Sequence, residues 1–283
     1  MPPSPGAVAT LEEPLMEPFV ALMRRYCIDY TSVHDQSVTA DLMREDYRVV
    51  ISGRTLDMPT YTEAVSAAFA RYPTLVLTVH DMILSGNRLA MRFSEHGAPV
   101  GEPGALAVWP GISTYEWDGE RLQICRVEQD FQGRDEQSTG SFTAPLEAGH
   151  PDPWATTVDA PGDPATEQAV RAWLDGLAAD AVSAVSADGV RLMETGDGAA
   201  VLEGLSVEVD DLFTAGNRAA AAVTLRGTYA GGLPGVPAEA EGLEGRMQAT
   251  LMARVADGAV TELEMVRDRW GLVRRLRKAL AAG

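Results

Sequence analysis

The chain has 283 residues, 46% of them hydrophobic, a formal net charge of −18 and a pI near 4.6. That is enough for one large domain or two ordinary ones with real cores. It is too acidic to displace counterions from nucleic acid or to settle on an anionic membrane. The 23 basic residues include a single lysine, Lys278, in a charged tail, which argues against Schiff-base chemistry. An arginine bias of this kind is what a GC-rich bacterial genome produces. The two cysteines, Cys27 and Cys125, cannot form a disulfide scaffold or a thiolate metal site, and their patterns read as buried small hydrophobes. The opening residues MPPSPGAVAT lack the basic and apolar regions of a leader, and no apolar run reaches the roughly 18 residues of a membrane span. A soluble, cytoplasmic protein is expected.

Along the chain, EPFVALMRRYCIDY (17–30) places Phe19, Leu22, Met23, Tyr26 and Cys27 at helical spacing. Asp35 is placed to cap a second helix running through Leu42 and Met43. YRVVI (47–51) reads as a strand. MPTYTEAVSAAFARY (58–72) reads as a third helix with Pro59 near its start. A run of long antiparallel strands begins at TLVLTVHDMIL. Helices first and a sheet after them imply helices packed on one sheet face.

The sequence then repeats itself. VHDMILSGNRLAMRF (79–93) is echoed by VDDLFTAGNRAAAAV (209–223), with Val, Asp, Gly, Asn and Arg recurring 130 positions on. WDGERLQICRVEQDFQGRDEQ (117–137) is echoed by ADGAVTELEMVRDRWGLVRR (256–275). Each carries an Asp-Gly turn between alternating runs, a strong hairpin signal, then an Asp (Asp130, Asp268) with a Gly three residues later. The segment 138–164 is rich in Pro, Gly, Ser and Thr and reads as a linker. The expected organisation is a first domain over 1–137, this linker, and a second domain over 165–283. The second copy lacks an equivalent of the 58–72 helix.

Several stretches resemble a known family. VTLRGTYAGGLPGVPAEAEG (223–242) is similar to the strand and Gly-Pro-rich loop of SnoaL-like proteins of the nuclear transport factor 2-like superfamily, and RDRWGLVRRL (267–276) to their closing strand end. YTSVHDQSVTADLMREDYRVV and GISTYEWDGERLQ resemble the family's helix-turn-helix-strand opening and its penultimate hairpin. The resemblance implies an α+β fold class with two tandem cone-shaped barrels, each made of helices wrapped by a curved, mainly antiparallel sheet around an apolar pocket. Members include polyketide cyclases, ketosteroid isomerases, scytalone dehydratase, epoxide hydrolases and cyclases, and non-catalytic proteins. Many pair through their sheets, so a tandem chain is expected to be an intramolecular pseudodimer, with a homodimer as a further option. The pocket histidine that the family often carries is replaced by Pro99 in the first copy and Tyr229 in the second.

The last strand of the first copy alternates Leu122, Ile124, Arg126, Glu128 and Asp130 on one face. If that face lines the pocket, Asp130 is a general base or acid, with Glu128 beside it and Arg126 or Arg92 orienting it. If not, it is a solvated charged face. His96 is either a proton carrier or an exposed strand end. Tyr26, Tyr30, Trp109 and Tyr115 are expected to line the pocket and contact ligand. No cluster at metal-ligand spacing and no phosphate-binding glycine loop is present, so neither metal nor cofactor is expected. The expected activity is cofactor-free acid–base chemistry (cyclisation, isomerisation or epoxide opening) on a hydrophobic, polyketide-like small molecule, with nucleic acid and membrane excluded as partners. The alternative is a non-catalytic binding or scaffold protein. The working pocket is expected in the first copy, braced by the second.

Overall fold

The computed structural model describes residues 16–102, 104–140, 142–195 and 201–282. The leader reading of residues 1–10 and part of the second copy's opening, 196–200, lie outside the described residues. The protein is α+β, two cone-shaped barrels in tandem. The first half opens with α1 (Pro18–Arg25), which widens into a π-helical stretch over Tyr26–Ser32. There the Thr31 and Ser32 hydroxyls donate to the carbonyls of Tyr26 and Cys27, five residues back. Asp35 caps a short 3₁₀ turn through the Ser37 amide before α2 (Thr39–Leu42). The helix stops at Leu42, one residue earlier than expected, and β1 (Met43–Ile51) begins there, ahead of the strand expected over 47–51. It turns into β2 (Arg54–Leu56), and α3 (Met58–Arg71) follows with Asp57 as its cap.

β3 (Val76–Ser85), β4 (Arg88–Gly97), β5 (Ala107–Trp117) and β6 (Leu122–Gln129) then run antiparallel, and α4 (Phe131–Gln137) closes the half. The segment after α4 adds a short strand, β7 (Val158–Asp159), parallel to β3. The second half has α5 (Pro164–Ala179), α6 (Ala181–Val185), β8 (Val190–Leu192), β9 (Leu202–Ala215), β10 (Arg218–Tyr229), β11 (Glu244–Ala256), β12 (Ala259–Arg267) and α7 (Arg269–Ala282). The sheet orders are β2-β1-β6-β5-β4-β3-β7 and β8-β12-β11-β10-β9. Both contain a parallel step at the matching place, β1 on β6 and β8 on β12, and the first sheet has a second at its edge, β7 on β3. Register shifts in β3 and β9 bend the sheets around their helices. Among the described residues no helix stands where α3 stands in the first half.

Each sheet is covered on both faces. The inner faces pack on their own helices in two apolar clusters. The outer faces pack on each other, sharing Ile83, Ala90 and Ile112 with Phe213, Ala220, Met252 and Val266. The sequence echo explains the contact. Arg88 pairs with Asp211, and Arg218, its repeat equivalent, pairs with Asp81, the equivalent of Asp211. Equivalent residues make equivalent bonds across the junction, the reciprocity of a two-fold interface.

The second echo is a helix cap. Asp130 accepts from the Gly133 amide at 3.0 Å and Asp268 from the Gly271 amide at 2.8 Å. A β-carbon at either glycine would collide with the capping carboxylate. Asp-x-x-Gly therefore recurs because each closing helix needs an aspartate folded back over its first turn.

Candidate active site

The first cone encloses a cavity of about 300 Å³. Its floor is the inner face of the sheet, where Met91 and Phe93 of β4, Trp109 and Tyr115 of β5, and Cys125 and Val127 of β6 point inward. Its walls are α1 with its π-helical continuation and α3, which contributes Tyr61, Val65, Ala68 and Phe69. The π-helical widening brings Tyr26 and Tyr30 onto one face, their rings stacked with centroids 5.6 Å apart. The Tyr26 and Tyr61 hydroxyls are hydrogen-bonded at 2.9 Å, whereas the buried Tyr30 hydroxyl has no partner. Burial pushes Tyr30 up to about 12, so its hydroxyl stays protonated at neutral pH and can donate a hydrogen bond.

One carboxylate lies in this apolar lining, Glu95, at the end of the inward stripe Leu89, Met91, Phe93, Glu95 of β4. The Trp109 indole donates to its Oε2 at 3.1 Å and to Gln129 Oε1 at 2.8 Å, which fixes the carboxyl against the neighbouring strand. Burial raises Glu95 from the ordinary 4.5 to about 7, against the opposing pull of the Arg134 charge and the Trp109 hydrogen bond. A carboxyl half-ionised at neutral pH can both take and return a proton. The thiols cannot compete as bases, since burial pushes Cys125 up to about 12 and Cys27 higher still.

The four aromatic residues expected in the pocket, Tyr26, Tyr30, Trp109 and Tyr115, line this cavity together. The five residues expected to act chemically do not. Asp130 is buried beyond the end of β6, where it accepts from Gly133, from Thr195 (2.8 Å and 3.0 Å) and from Arg269 (2.8 Å), and so ties the two halves together. Arg126 and Glu128 point into the contact between the sheets. Arg126 meets Glu116 and Asp211, and Glu128 accepts from the Ser52 amide at 3.0 Å. Arg92 pairs with Glu147 and Glu264. His96 follows Arg92 and Ser94 on that same outer face. Asp130 thus belongs to the cap of α4, and the charged outer face is not the wall of the first cone's cavity. It is a junction between sheets whose charges pair across it, and there Arg126 and Glu128 border a separate space of about 250 Å³ with Asp210, Arg246 and Gln248 of the second half.

The expected test residue for an enzyme, Asp130 in a deep pocket, is thus replaced by Glu95 in a deep pocket. Glu95 lies between Ser94 and His96, on the opposite side of the strand. Sequence reasoning missed it by following the more polar face. The available signal was a lone carboxylate closing an apolar period-two stripe.

Among the described residues the inside of the second cone is packed with its own apolar side chains. Its remaining cavity is about 20 Å³, against about 300 Å³ in the first. In the repeat alignment Leu225 stands where Glu95 does, Met247 where Trp109 does and Arg267 where Gln129 does, and all three border that remnant. The Tyr229 hydroxyl is engaged by the Leu233 amide at 3.0 Å. Trp270, at the start of α7 in the second half, lines the first cavity.

No group of three or more His, Cys, Asp or Glu residues able to hold a metal ion occurs among the described residues, and none of their helices is long and apolar enough to cross a membrane.

No family model and no curated protein matches the sequence. Solved structures that match include putative polyketide cyclases, a putative hydroxylase and a protein of ketosteroid isomerase-like fold. A putative polyketide cyclase from Acidithiobacillus ferrooxidans is 18% identical with a TM-score of 0.41, covering 46% of this chain and 100% of its own. A putative SnoaL-like polyketide cyclase from a Jannaschia species is 15% identical with a TM-score of 0.40, covering 48% and 98%. A protein of ketosteroid isomerase-like fold from Catenulispora acidiphila, in complex with trimethylamine, is 14% identical with a TM-score of 0.37, covering 42% and 92%.

Proposed function

We propose that the protein is a cofactor-independent acid–base enzyme acting on a hydrophobic, polyketide-like small molecule in the cavity of its first half, with Glu95 carrying the proton. The observation that supports this most is Glu95 itself, one carboxyl in an apolar cavity, held by Trp109 and brought to about 7 by burial. As the anion it takes a proton from the carbon next to a ligand carbonyl. The partnerless Tyr30 hydroxyl then donates a hydrogen bond to the developing enolate oxygen. Return of the proton at another carbon is an isomerisation. Attack of the enolate on a second carbonyl of the ligand closes a ring, and the proton held on Glu95 passes to the alkoxide that forms. In its neutral form Glu95 gives its proton to an epoxide oxygen as a hydroxyl oxygen of the same ligand bonds to the epoxide carbon and breaks its C–O bond, and the resulting carboxylate takes the proton of that hydroxyl. The second half, its cone filled, is a non-catalytic brace, and the two halves act as a covalent pseudodimer.

Proton transfer can be assayed before the natural substrate is known. In deuterated buffer, exchange at the α-carbons of a hydrophobic ketone such as 2-tetralone is followed by NMR. The wild type is expected to accelerate exchange with an inflection near pH 7, and Glu95→Gln to lose about 10²–10⁴-fold of that acceleration. Acceleration that survives Glu95→Gln unchanged would refute the assignment.

A further inference from the structure

The mouth of the cavity is built from both halves. α7 belongs to the second half but is anchored to the first at two points. Arg269 donates to Asp130 at 2.8 Å, and Arg275 donates to the Ser52 carbonyl at 3.2 Å. Between these anchors, Trp270 and Arg274 are four residues apart, so they share one helix face, and both line the cavity. Trp270 meets Phe131 edge-on at 6.1 Å, and the Arg274 guanidinium lies 4.4 Å from the centre of the Trp270 ring. Arg54 lines the cavity from β2, immediately after the Ser52–Gly53 turn that Arg275 holds.

The charges at this mouth do not balance. The cavity is lined by three arginines, Arg54, Arg134 and Arg274, and one carboxyl, Glu95. Arg134 is paired with Asp135. Arg54 and Arg274 are exposed and have no carboxylate partner among the described residues. In the sheet junction, by contrast, Arg88, Arg92, Arg126 and Arg218 all have one. In a chain of net charge −18, two uncompensated cations at the rim of an apolar cavity are complementary to an apolar body ending in an anion.

We infer that the ligand is a hydrophobic molecule carrying one anionic oxygen group, of the carboxylate class. Its apolar body occupies the cavity and its charge lies at the mouth on Arg54 and on Arg274, the latter supplied by the second half. This rests on the reading of the cavity as the ligand site and adds the charge of the ligand to it. It also gives the second half a part in selecting ligand, through Trp270 and Arg274, although its own cone is filled.

Two dyes with one body separate the terms. 8-Anilinonaphthalene-1-sulfonate carries an anion, and N-phenyl-1-naphthylamine is the same skeleton without it. Both are titrated by fluorescence into the full chain, into Arg54→Gln/Arg274→Gln, and into Ala68→Trp, which fills the cavity from α3. The wild type is expected to bind the sulfonate about tenfold or more tightly than the neutral dye, the size of one charge-assisted contact. That preference should weaken with salt. The double variant should lose it while keeping its affinity for the neutral dye, and Ala68→Trp should lose both dyes. A double variant that keeps the preference overturns the inference. So does a wild type without preference, and if its neutral dye is still displaced by Ala68→Trp, the cavity reading stands alone. Dyes that fail to bind, or that survive Ala68→Trp, overturn the cavity reading and this inference together.

Discussion

Glu95→Gln should stabilise the protein at neutral and alkaline pH while removing its proton-transfer activity. A carboxyl brought from 4.5 to about 7 by burial is disfavoured as an anion in the folded state by at most about 3 kcal/mol. Below pH 4.5 Glu95 is protonated in both folded and unfolded chains, and folding meets no penalty. As pH rises, the unfolded chain ionises first, and the folded protein loses relative stability until Glu95 has also ionised, above pH 7. Glutamine keeps the shape and an acceptor for the Trp109 indole but never ionises. The free energy of unfolding of variant and wild type is therefore compared by urea denaturation between pH 4 and 8.5. Taking the difference cancels every other titrating group. The variant should gain about 3 kcal/mol on the wild type across that range, most of it between pH 4.5 and 7. A difference flat to within about 0.5 kcal/mol would mean that Glu95 titrates as an ordinary surface glutamate, and the acid–base reading would fall with it.

Asp130→Asn should behave in the opposite way. It removes the charge from a buried pair with Arg269, so a loss of about 3 kcal/mol or more in stability is expected, with ketone exchange in the folded protein reduced less than tenfold. Abolished exchange at undiminished stability would return Asp130 to the catalytic role. The junction can be tested by charge reversal. Arg218→Asp and Asp81→Arg should each destabilise, and the double variant should recover about 1–3 kcal/mol relative to additivity in a denaturation cycle. Strict additivity would show that the reciprocal pair carries no coupling.

The repeat and the aromatic wall were legible because they rest on local signals, and the cone architecture because short motifs resemble those of SnoaL-like proteins. The Asp-Gly turns, the helical stripe of Phe19, Leu22, Met23 and Tyr26, and the Asp-x-x-Gly pairs need no knowledge of what lies across the sheet. The side of the sheet facing the cavity was not legible. A sheet with one face in water betrays its inner face by polarity, but here both faces are buried. The charged set Arg92, Arg126 and Glu128 marked a protein–protein junction within one chain. Period two then moved the charged assignments on β4 and β6 to the other side of the sheet, while Tyr26, Tyr30, Trp109 and Tyr115 line the cavity as expected. The crossing of α7 was also beyond local reading. Nothing near Trp270 or Arg274 in sequence indicates that their partners are Phe131 and the first cavity.

The two faces of the repeat have diverged to different extents. On the outer face the copies keep what the junction uses, with Asp81 and Arg88 matched by Asp211 and Arg218, each pairing with the other copy. On the inner face β4 reads Leu89, Met91, Phe93, Glu95, and the matching positions of β10 read Ala219, Ala221, Val223, Leu225. Those four lie in the apolar core of the second half, where an ionisable group would cost stability without a ligand to act on. Under the proposed function, leucine at 225 is the residue expected of a copy relieved of chemistry, and glutamate at 95 that of a copy retaining it. The closing helices show the same division. Asp130 and Asp268 cap α4 and α7 alike, but α7 is twice as long, 14 residues against 7, and carries Trp270 and Arg274 to the neighbouring cavity. If the first cavity binds the anionic ligand inferred for it, the second half takes part in selecting that ligand through Trp270 and Arg274, which line that cavity.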